Sequence, residues 1–365
     1  MSKSVSVYLH IPFCRRKCNY CDFYSSPTCL GEVSSYANAL CNQIRSSQAK
    51  GETVHTVYFG GGTPSLLSEK DFSLIVAALN ETFDLSSCAE FTVECNPESV
   101  SPSLARTWLE QGVNRISMGV QTFSDAHLRS LGRLHTKARA EQAYRELRSV
   151  GFDNISLDLM AALPQQTVPE LTDDLQRMIA LSPEHLSVYL LKIEPGSVFG
   201  LKAVPEADED LQRSMYLLTH DVLTRAGYEH YEISNFAKPG FRAKHNGVYW
   251  AGGEYLAFGA GAFGFYRGVR YHVPADTTAF CNKNGLLRPI VDEIVDAEES
   301  RREAVFLGLR LSEGIDRSLL PEGKKSFVET LCQHGYATLT DRRFALTAEG
   351  FLISDYVIRE LLSVR

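Results

Sequence analysis

The sequence has no run of about eighteen apolar residues and no apolar signal segment, so neither a transmembrane helix nor export is expected. Basic residues are not in excess: 37 Lys and Arg stand against 44 Asp and Glu, and the formal net charge of −7 disfavours a nucleic acid or an anionic membrane surface as partner. Internal repeats and low-complexity linkers are also lacking. Nine cysteines in 365 residues are too few for a disulfide framework, and together with the missing export signal they predict a reducing cytoplasm.

Three of the nine cysteines lie in one short segment. Cys14, Cys18 and Cys21 follow the spacing C-x₃-C-x₂-C. Three thiolates so spaced can bind three corners of a 4Fe–4S cube and leave the fourth iron open to a small molecule. Two alternatives remain at this point. A disulfide with one spare thiol needs an oxidising compartment, and a zinc site needs a fourth ligand such as His10 or Cys29.

Strand and helix signals alternate over the first two hundred residues. The predicted strands are Val5–Leu9, Thr53–Phe59, Glu90–Cys95, Val113–Val120, Asn154–Leu159 and His185–Leu191. The helices between them are predicted over Glu32–Ser46, Glu69–Asn80, Pro102–Glu110, Lys137–Ser149 and Pro169–Leu181. Such βαβ units predict an α/β fold whose parallel sheet curves into an incomplete (β/α)6 barrel, with its chemistry at the carboxyl ends of the strands.

The pattern changes beyond residue 200. One long helix is predicted over Glu206–Ala226, and irregular structure with short strands over Tyr249–Tyr271. From Ala297 onward we predict a mostly helical, winged-helix-like module with a short β-ribbon at Tyr336–Leu346. The domain division predicted is therefore a core barrel in residues 1–240 and a carboxy-terminal region in residues 241–365. Without a basic face, the module is not expected to bind DNA.

Polar residues end three of the predicted strands: Glu94, Gln121 and Asp158. Because buried polar groups cost free energy unless they are paired, three such ends in register favour a ligand there, although a rim salt bridge explains Glu94 equally well. Glycines at 60–62, followed by Thr63 and Pro64, allow a ligand close to the backbone, or form a tight turn. Tyr8 could pack on an adenine or lie in the core.

These residues together resemble the radical S-adenosylmethionine (SAM) enzymes, specifically the oxygen-independent coproporphyrinogen III oxidase group. The likeness rests on the run Tyr8–Cys14, on Gly-Gly-Gly-Thr-Pro, on the Glu94 strand, on Gly119-Val120-Gln121 and on Leu163-Pro164, in this order. It implies that Cys14, Cys18 and Cys21 ligate a 4Fe–4S cluster. It also implies a SAM pocket lined by Tyr8, Tyr20, Gly61, Gly62, Thr63, Glu94, Gln121, Arg133, Asp158 and Lys192. The family chemistry is one-electron reduction of the sulfonium, which releases methionine and a 5′-deoxyadenosyl radical.

Two features favour the heme chaperone branch of this group, HemW, over the oxidases. Cys21-Asp22-Phe23 stands where the oxidases carry Cys-Gly-Cys, and only thirteen residues precede Cys14, where the oxidases have a longer substrate-binding extension. The run His245-Asn246-Gly247-Val248-Tyr249-Trp250 is similar to the H-N-x-x-Y-W motif of the chaperones. A neutral imidazole is a good axial ligand for heme iron, and Tyr249 and Trp250 could stack on a porphyrin face. A buried His-Asn turn is the structural alternative.

Two departures from the family pattern stand out. Ala161-Ala162 precedes Leu163-Pro164, where the family usually has a glycine before Leu-Pro. Phe263 stands where many relatives have histidine, which removes a polar or metal-binding group from that region.

The resemblance thus implies a heme chaperone that binds heme and transfers it to hemoproteins, respiratory-chain proteins among them. An oxygen-independent coproporphyrinogen III oxidase is the alternative. Whether the chain is an enzyme stays open, although the branch features point away from coproporphyrinogen III dehydrogenase activity. Flavodoxin or ferredoxin is expected as electron donor and the cytoplasm as location, and membrane association through a partner and a homodimer are left open.

Overall fold

Six parallel strands form the middle of one large sheet in the computed structural model, which describes residues 4–27 and 30–363. They are β1 (Val5–Ile11), β2 (Val54–Gly61), β3 (Glu90–Cys95), β4 (Arg115–Gln121), β5 (Ile155–Ala161) and β6 (His185–Leu190). They lie side by side in chain order, as successive βαβ units require. The predicted α/β fold with six parallel strands is confirmed, and within the described residues the sheet stays open at both edges.

Helices connect these strands and cover the outer face of the sheet. They are α1 (Leu30–Arg45), α2 (Glu69–Thr82), α3 (Pro102–Glu110), α4 (Asp125–Ser130), α5 (Lys137–Val150) and α6 (Val168–Leu181). Local sequence fixes where they begin: the Ser68 hydroxyl accepts from the Asp71 N–H, and Thr167 with Glu170 forms a capping box. The short helix α4 was not predicted.

The sheet continues beyond the six strands at both edges. After α7 (Val198–Leu201) and α8 (Glu209–Arg225), two antiparallel strands, β7 (Glu229–Glu232) and β8 (Asn235–Ala237), add beside β6. At the other edge, beyond α9 (Lys244–Trp250), β9 (Tyr255–Phe258) pairs parallel with β1. Three antiparallel strands follow it in the sheet: β10 (Phe263–Tyr266), β11 (Val269–His272) and, after α10 (Thr277–Asn282), β12 (Ile290–Ile294). The short strands expected over Tyr249–Tyr271 are thus part of the main sheet.

A smaller module follows. It contains α11 (Ala297–Gly308), α12 (Lys325–Gln333), α13 (Ala348–Phe351), α14 (Ser354–Leu362) and a sheet of β13 (Ile315–Asp316), β14 (Ala337–Leu339) and β15 (Arg343–Leu346) in the order β13-β15-β14. Its core packs Leu309, Phe344 and Val357, and Tyr216 from α8 joins it. The predicted helices and β-ribbon are present. The domain division at residue 240 stays a prediction, since the strands that follow it belong to the large sheet.

The two faces of the parallel strands differ in polarity. On the outer face, Val57, Phe59 and Phe91 pack against Phe72 of α2 and Trp108 of α3. Alternation along each strand therefore turns the intervening residues inward. Those inward residues are polar: they include Ser6, Tyr8, Thr56, Tyr58, Glu90, Thr92, Glu94, Arg115, Ser117, Ser156, Asp158 and His185. A polar interior needs internal partners or a ligand.

No helix in the part of the chain that the structure describes is both long and apolar enough to cross a lipid bilayer.

Candidate functional site

The three clustered cysteines lie on a loop at the carboxyl end of β1. Cys14 belongs to a two-residue strand, Phe13–Cys14, that pairs with Ser26–Pro27 and so closes the loop at its base. Cys14, Cys18 and Cys21 are half-buried free thiols, and burial raises the pKa of Cys21. All eight cysteines within the described residues are free, so the disulfide alternative finds no bonded pair among them.

Backbone and side-chain hydrogen bonds hold this loop against two helices. Asn19 donates its N–H to Leu131 O at 2.9 Å and its amide to Ser130 O at 2.7 Å. Further along the loop, the Tyr24 hydroxyl bonds the Thr277 hydroxyl and backbone N–H on α10, both at 2.9 Å. The loop is therefore attached to the end of α4 and to α10, in the region beyond residue 240.

Arg133 and Thr63 touch two of the three thiols. Arg133 Nη1 lies 3.6 Å from Cys18 Sγ, and Thr63 Oγ1 lies 3.6 Å from Cys14 Sγ. Asn96 joins the two, accepting from Arg133 Nη2 at 2.6 Å and donating to Thr63 Oγ1 at 3.1 Å. A guanidinium and a hydroxyl beside sulfur are arranged to stabilise thiolate charge.

Of the two fourth ligands that the zinc alternative names, His10 is already paired through both ring nitrogens. His10 Nδ1 is paired with the Tyr8 hydroxyl at 3.0 Å and Nε2 with Tyr24 O at 2.9 Å. Cys29 lies outside the described residues. Among the residues described, no three His, Cys, Asp or Glu side chains converge on one metal ion. In a cubane each thiolate binds a different iron, so cluster ligands do not need to meet at one point.

The glycine run at the end of β2 makes room for close backbone approach. Gly61 has φ +108°, and a Cβ there would lie 2.6 Å from the His10 ring. A Cβ at Gly62 would lie 2.6 Å from Phe13 O, where the chain enters the cysteine loop. Only glycine fits both positions, so these glycines are required by the packing of β2 against His10 and the start of the cysteine loop.

Glu94 connects this glycine run to β2. Its Oε1 accepts from the Tyr58 hydroxyl at 2.7 Å, and its Oε2 accepts from the Gly61 N–H at 3.2 Å. Burial raises the pKa of Glu94 to about 7, against the opposing effect of the Tyr58 hydrogen bond. Glu94 is thus an interior carboxylate rather than the rim salt bridge that the sequence left open.

The other predicted pocket residues are placed unequally. Tyr8 is opposite Tyr58 in the sheet with its ring 6.1 Å away, and Asp158, opposite Gly119, accepts from the Ser117 hydroxyl at 3.2 Å. Burial raises the pKa of Asp158. Gln121 ends β4 in the left-handed region at φ +67°. The ring of Tyr20 lies near Cys18 and Arg133.

Lys192 is the exception. Its side chain is 78% exposed and its Nζ is paired with Glu194 at 3.0 Å. None of the contacts that the structure gives this lysine joins it to the thiols or to Glu94.

His245, on α9, lies against the inward-facing side of the sheet and has no exposed surface. Its Nδ1 is 2.7 Å from the Thr56 hydroxyl, its Nε2 is 2.7 Å from the Tyr249 hydroxyl, and its ring stacks on Tyr58 at 4.9 Å. Burial, aided by Arg115, lowers the pKa of His245 to about 3, so the ring is neutral. His245 is buried, as in the structural alternative that the sequence offered, but it lies in the helix α9 and not in a turn.

Helix α9 carries the His245–Trp250 motif, and its first N–H groups donate to a buried carboxylate. Glu90 accepts from the Lys244 N–H at 2.8 Å and the His245 N–H at 2.9 Å. Tyr249 packs edge-on against Tyr255 at 4.6 Å, and Trp250, at the end of the helix, is half-buried. Both nitrogens of His245 are engaged, so contact with heme iron requires α9 to move.

Sequence reasoning missed Asn96, Tyr58 and Glu90. Asn96 follows β3 directly, so the rule that found Glu94 could have found it. Tyr58 lies inside β2 and Glu90 begins β3, and the sheet register shows that their side chains point inward.

The two departures from the family pattern have distinct surroundings. Ala162 is buried with φ +58°, a backbone conformation that glycine adopts more easily. Phe263 is 61% exposed and lies against His272 at 5.2 Å.

Comparison with known proteins identifies the family of this chain. Residues 8–178 match the Radical SAM superfamily. Heme chaperone HemW of Lactococcus lactis subsp. lactis (strain IL1403) is 37% identical over 99% of this chain and 98% of that protein. HemW of Bacillus subtilis (strain 168) is 35% identical over 98% of this chain and 99% of that protein. HemW of Escherichia coli (strain K12) is 40% identical over 71% of this chain and 70% of that protein.

A solved structure shares the fold. Coproporphyrinogen III oxidase (HemN) from Escherichia coli, a radical SAM enzyme, aligns with a TM-score of 0.82 and 22% identity over 99% of this chain and 89% of its own. With relatives above 30% identity along nearly its whole length, the chain belongs to the heme chaperone HemW family of radical SAM proteins.

Proposed function

We propose that this chain is a heme chaperone that binds heme and transfers it to hemoproteins, and that it carries a 4Fe–4S cluster and SAM. The observation that carries the proposal is the likeness to heme chaperones along nearly the whole chain. The site agrees with it, because three free thiols, a guanidinium and a glycine run meet at the carboxyl ends of parallel strands.

Cys14, Cys18 and Cys21 would hold the cluster, which when bound supplies one electron to a sulfonium. The thiol donor set fits such a cluster, and Thr63 and Arg133 contribute hydrogen-bond donors next to two of the sulfurs. These neighbours stabilise negative charge on the sulfurs and help to set the cluster potential.

The SAM pocket would be built from the residues around this loop. Glu94 would accept from ribose hydroxyls, and the backbone of Gly61, Gly62 and Thr63 would hold the amino and carboxylate groups. Tyr8, Tyr20, Gln121, Arg133 and Asp158 would complete the walls. Lys192 stays a prediction that requires its exposed side chain to leave Glu194.

Heme contact through His245, Tyr249 and Trp250 also stays a prediction. The imidazole is fully buried with both nitrogens paired, so such contact requires α9 to leave Glu90 and Thr56. Partners follow from the proposed function: recipient hemoproteins, respiratory-chain proteins among them, and an electron donor such as flavodoxin or ferredoxin. The cytoplasm, a homodimer and membrane association through a partner are parts of the same proposal.

The alternative function is oxygen-independent oxidation of coproporphyrinogen III. Its support is the fold shared with the Escherichia coli oxidase, which at 22% identity shows the fold alone.

One set of assays on anaerobically reconstituted protein separates the two. Iron and sulfide are counted, and the protein is titrated with hemin. Heme-loaded protein is then mixed with an apo-hemoprotein, and transfer is followed by absorbance. A parallel reaction contains coproporphyrinogen III, SAM and reductant. We expect a heme complex that passes heme on and no protoporphyrinogen. Protoporphyrinogen formation, or no heme complex, overturns the proposal.

A further inference from the structure

A cavity of about 760 Å³ opens in the carboxy-terminal module, far along the chain from the cysteine loop. It lies between α11, α12, α14 and the two turns at 317–319 and 322–324. Its volume falls within the range of about 300–1,000 Å³ that small-molecule sites occupy.

One wall of this groove is apolar and aromatic. Val305 and Leu361, from the core of the module, form its floor together with Leu319. Phe327 and Tyr356 meet edge to face, with their ring centroids 6.0 Å apart, and Tyr356 is 49% exposed. A half-exposed aromatic pair over an apolar floor suits a flat, apolar ligand.

The rim of the groove carries cations. Arg301 donates to Ser318 O at 3.3 Å, and Lys324 Nζ lies 2.8 Å from the Ser363 hydroxyl. Among the residues described, neither forms an ion pair with a carboxylate. Arg302, also on the rim, is 3.6 Å from Glu299.

Two carboxylates, Glu298 and Glu360, line the groove as well. Because Arg302 is paired with Glu299, Arg301 and Lys324 are the two lining cations without a carboxylate partner among the described residues, in a chain whose overall charge is −7.

We propose that this groove binds heme before its transfer, with the porphyrin plane against Phe327 and Tyr356 and the propionates on Arg301 and Lys324. This inference rests on the proposed function and names the site of its ligand. The chemistry matches, because heme combines a flat apolar body with two carboxylates on one edge. The other segment predicted to meet heme, at His245, is enclosed, whereas the groove opens to solvent and so allows release to an acceptor.

The test is a hemin titration of the full chain, followed by the Soret band. We expect Arg301→Glu combined with Lys324→Glu to weaken hemin binding at least tenfold, and Tyr356→Ala to weaken it several-fold. A matched control is the double charge reversal Lys283→Glu with Arg342→Glu, which changes the net charge by the same amount at positions outside the groove. Its hemin affinity should stay within twofold of the wild-type value. All four charged positions lie at or near the surface, so folding is preserved and is checked by circular dichroism.

Hemin dimethyl ester separates the charge contacts from the apolar ones. Without carboxylates, it should bind the wild type more weakly and should no longer distinguish the groove reversal from the control reversal.

The outcomes are distinguishable. If the wild type binds no hemin, the proposed function itself fails. If the wild type binds hemin but the groove reversal matches the control reversal, only the groove assignment is overturned.

Discussion

Arg133 and Cys18 are 115 residues apart in the chain, yet the guanidinium Nη1 lies 3.6 Å from the thiol sulfur. Arg133 Nη2 donates hydrogen bonds to Asn96 Oδ1 at 2.6 Å and to Gly119 O at 2.7 Å. Burial works to lower the pKa of Arg133, but Tyr20, Cys18 and Glu98 outweigh it and the pKa is raised. A fixed positive charge therefore stands beside one predicted cluster ligand.

Arg133→Met should lower the reduction potential of the cluster. Loss of a nearby positive charge destabilises the more negative, reduced state, and we expect a fall of about 60 mV, or roughly 1.4 kcal/mol for one electron. The measurement is an anaerobic redox titration followed by electron paramagnetic resonance. Arg129→Met, on the neighbouring helix and exposed, is the control. An unchanged potential in Arg133→Met removes the electrostatic role.

Replacing any one of Cys14, Cys18 or Cys21 by serine should remove most of the bound iron and the brown absorbance. A hydroxyl is a much poorer ligand than a thiolate for this cluster. Cys88→Ser and Cys332→Ser change half-buried thiols elsewhere and should keep wild-type iron content. Equal iron in all five variants would contradict the assignment of the loop.

SAM affinity should depend on pH through Glu94. A carboxylate must be ionised to accept from two ribose hydroxyls, and the pKa of Glu94 is raised to about 7. Glu94 is mostly protonated at pH 6 and mostly ionised at pH 8, so the dissociation constant should be about tenfold larger at pH 6. Equilibrium dialysis at both pH values measures it.

Glu94→Gln should bind SAM more weakly and lose this pH dependence, since the amide does not titrate. Glu110→Gln, at the exposed end of α3, should keep the wild-type profile. A persistent tenfold change in Glu94→Gln shows that another group titrates.

His245→Ala should lower the free energy of unfolding by about 3 kcal/mol, because it leaves a cavity and strands the hydroxyls of Thr56 and Tyr249 without their partner. His245→Gln should recover part of the loss. Chemical denaturation followed by circular dichroism provides the comparison. A fully stable His245→Ala protein would show that the ring is not a structural part of the interior.

Ala162→Gly should stabilise the protein by about 1 kcal/mol. Ala162 is held at φ +58°, where a Cβ is strained and glycine is not. Ala162→Val should do the reverse, since a β-branched side chain is worse in this region. Thermal unfolding of the three proteins gives the order, and a less stable Ala162→Gly protein contradicts the strain argument.

Much of the parallel sheet could be predicted because its signals are local. Glu90–Cys95 and Pro102–Glu110 were predicted with the bounds that the structure shows, since a β-rich run and a Ser-Pro helix start mark them clearly. The pairing of β9 with β1 could not be predicted, because Tyr255 is 249 positions from its sheet partner Ser6 in the sequence and only tertiary packing joins them.

The functional site, like the fold, could be predicted from the sequence only in part. Glu94 and Gln121 follow from a rule about strand ends, which depends on chain order alone. Asp158 lies in the middle of β5 rather than at the strand end where it was predicted. The burial of His245 does not, because the sequence around it is polar and aromatic and would suit a surface equally well. What encloses the ring is Thr56 and Tyr58 on β2, nearly 190 residues earlier, and no local pattern reports on that distance.

The parallel pairing of β9 with β1 has a practical consequence for anyone dissecting this protein. Cutting the chain near residue 240 strips β1 of a neighbour and leaves a row of unsatisfied backbone groups along the strand that leads into the cysteine loop. An excised amino-terminal fragment is then expected to aggregate, and its failure to retain iron would say nothing about the ligands themselves.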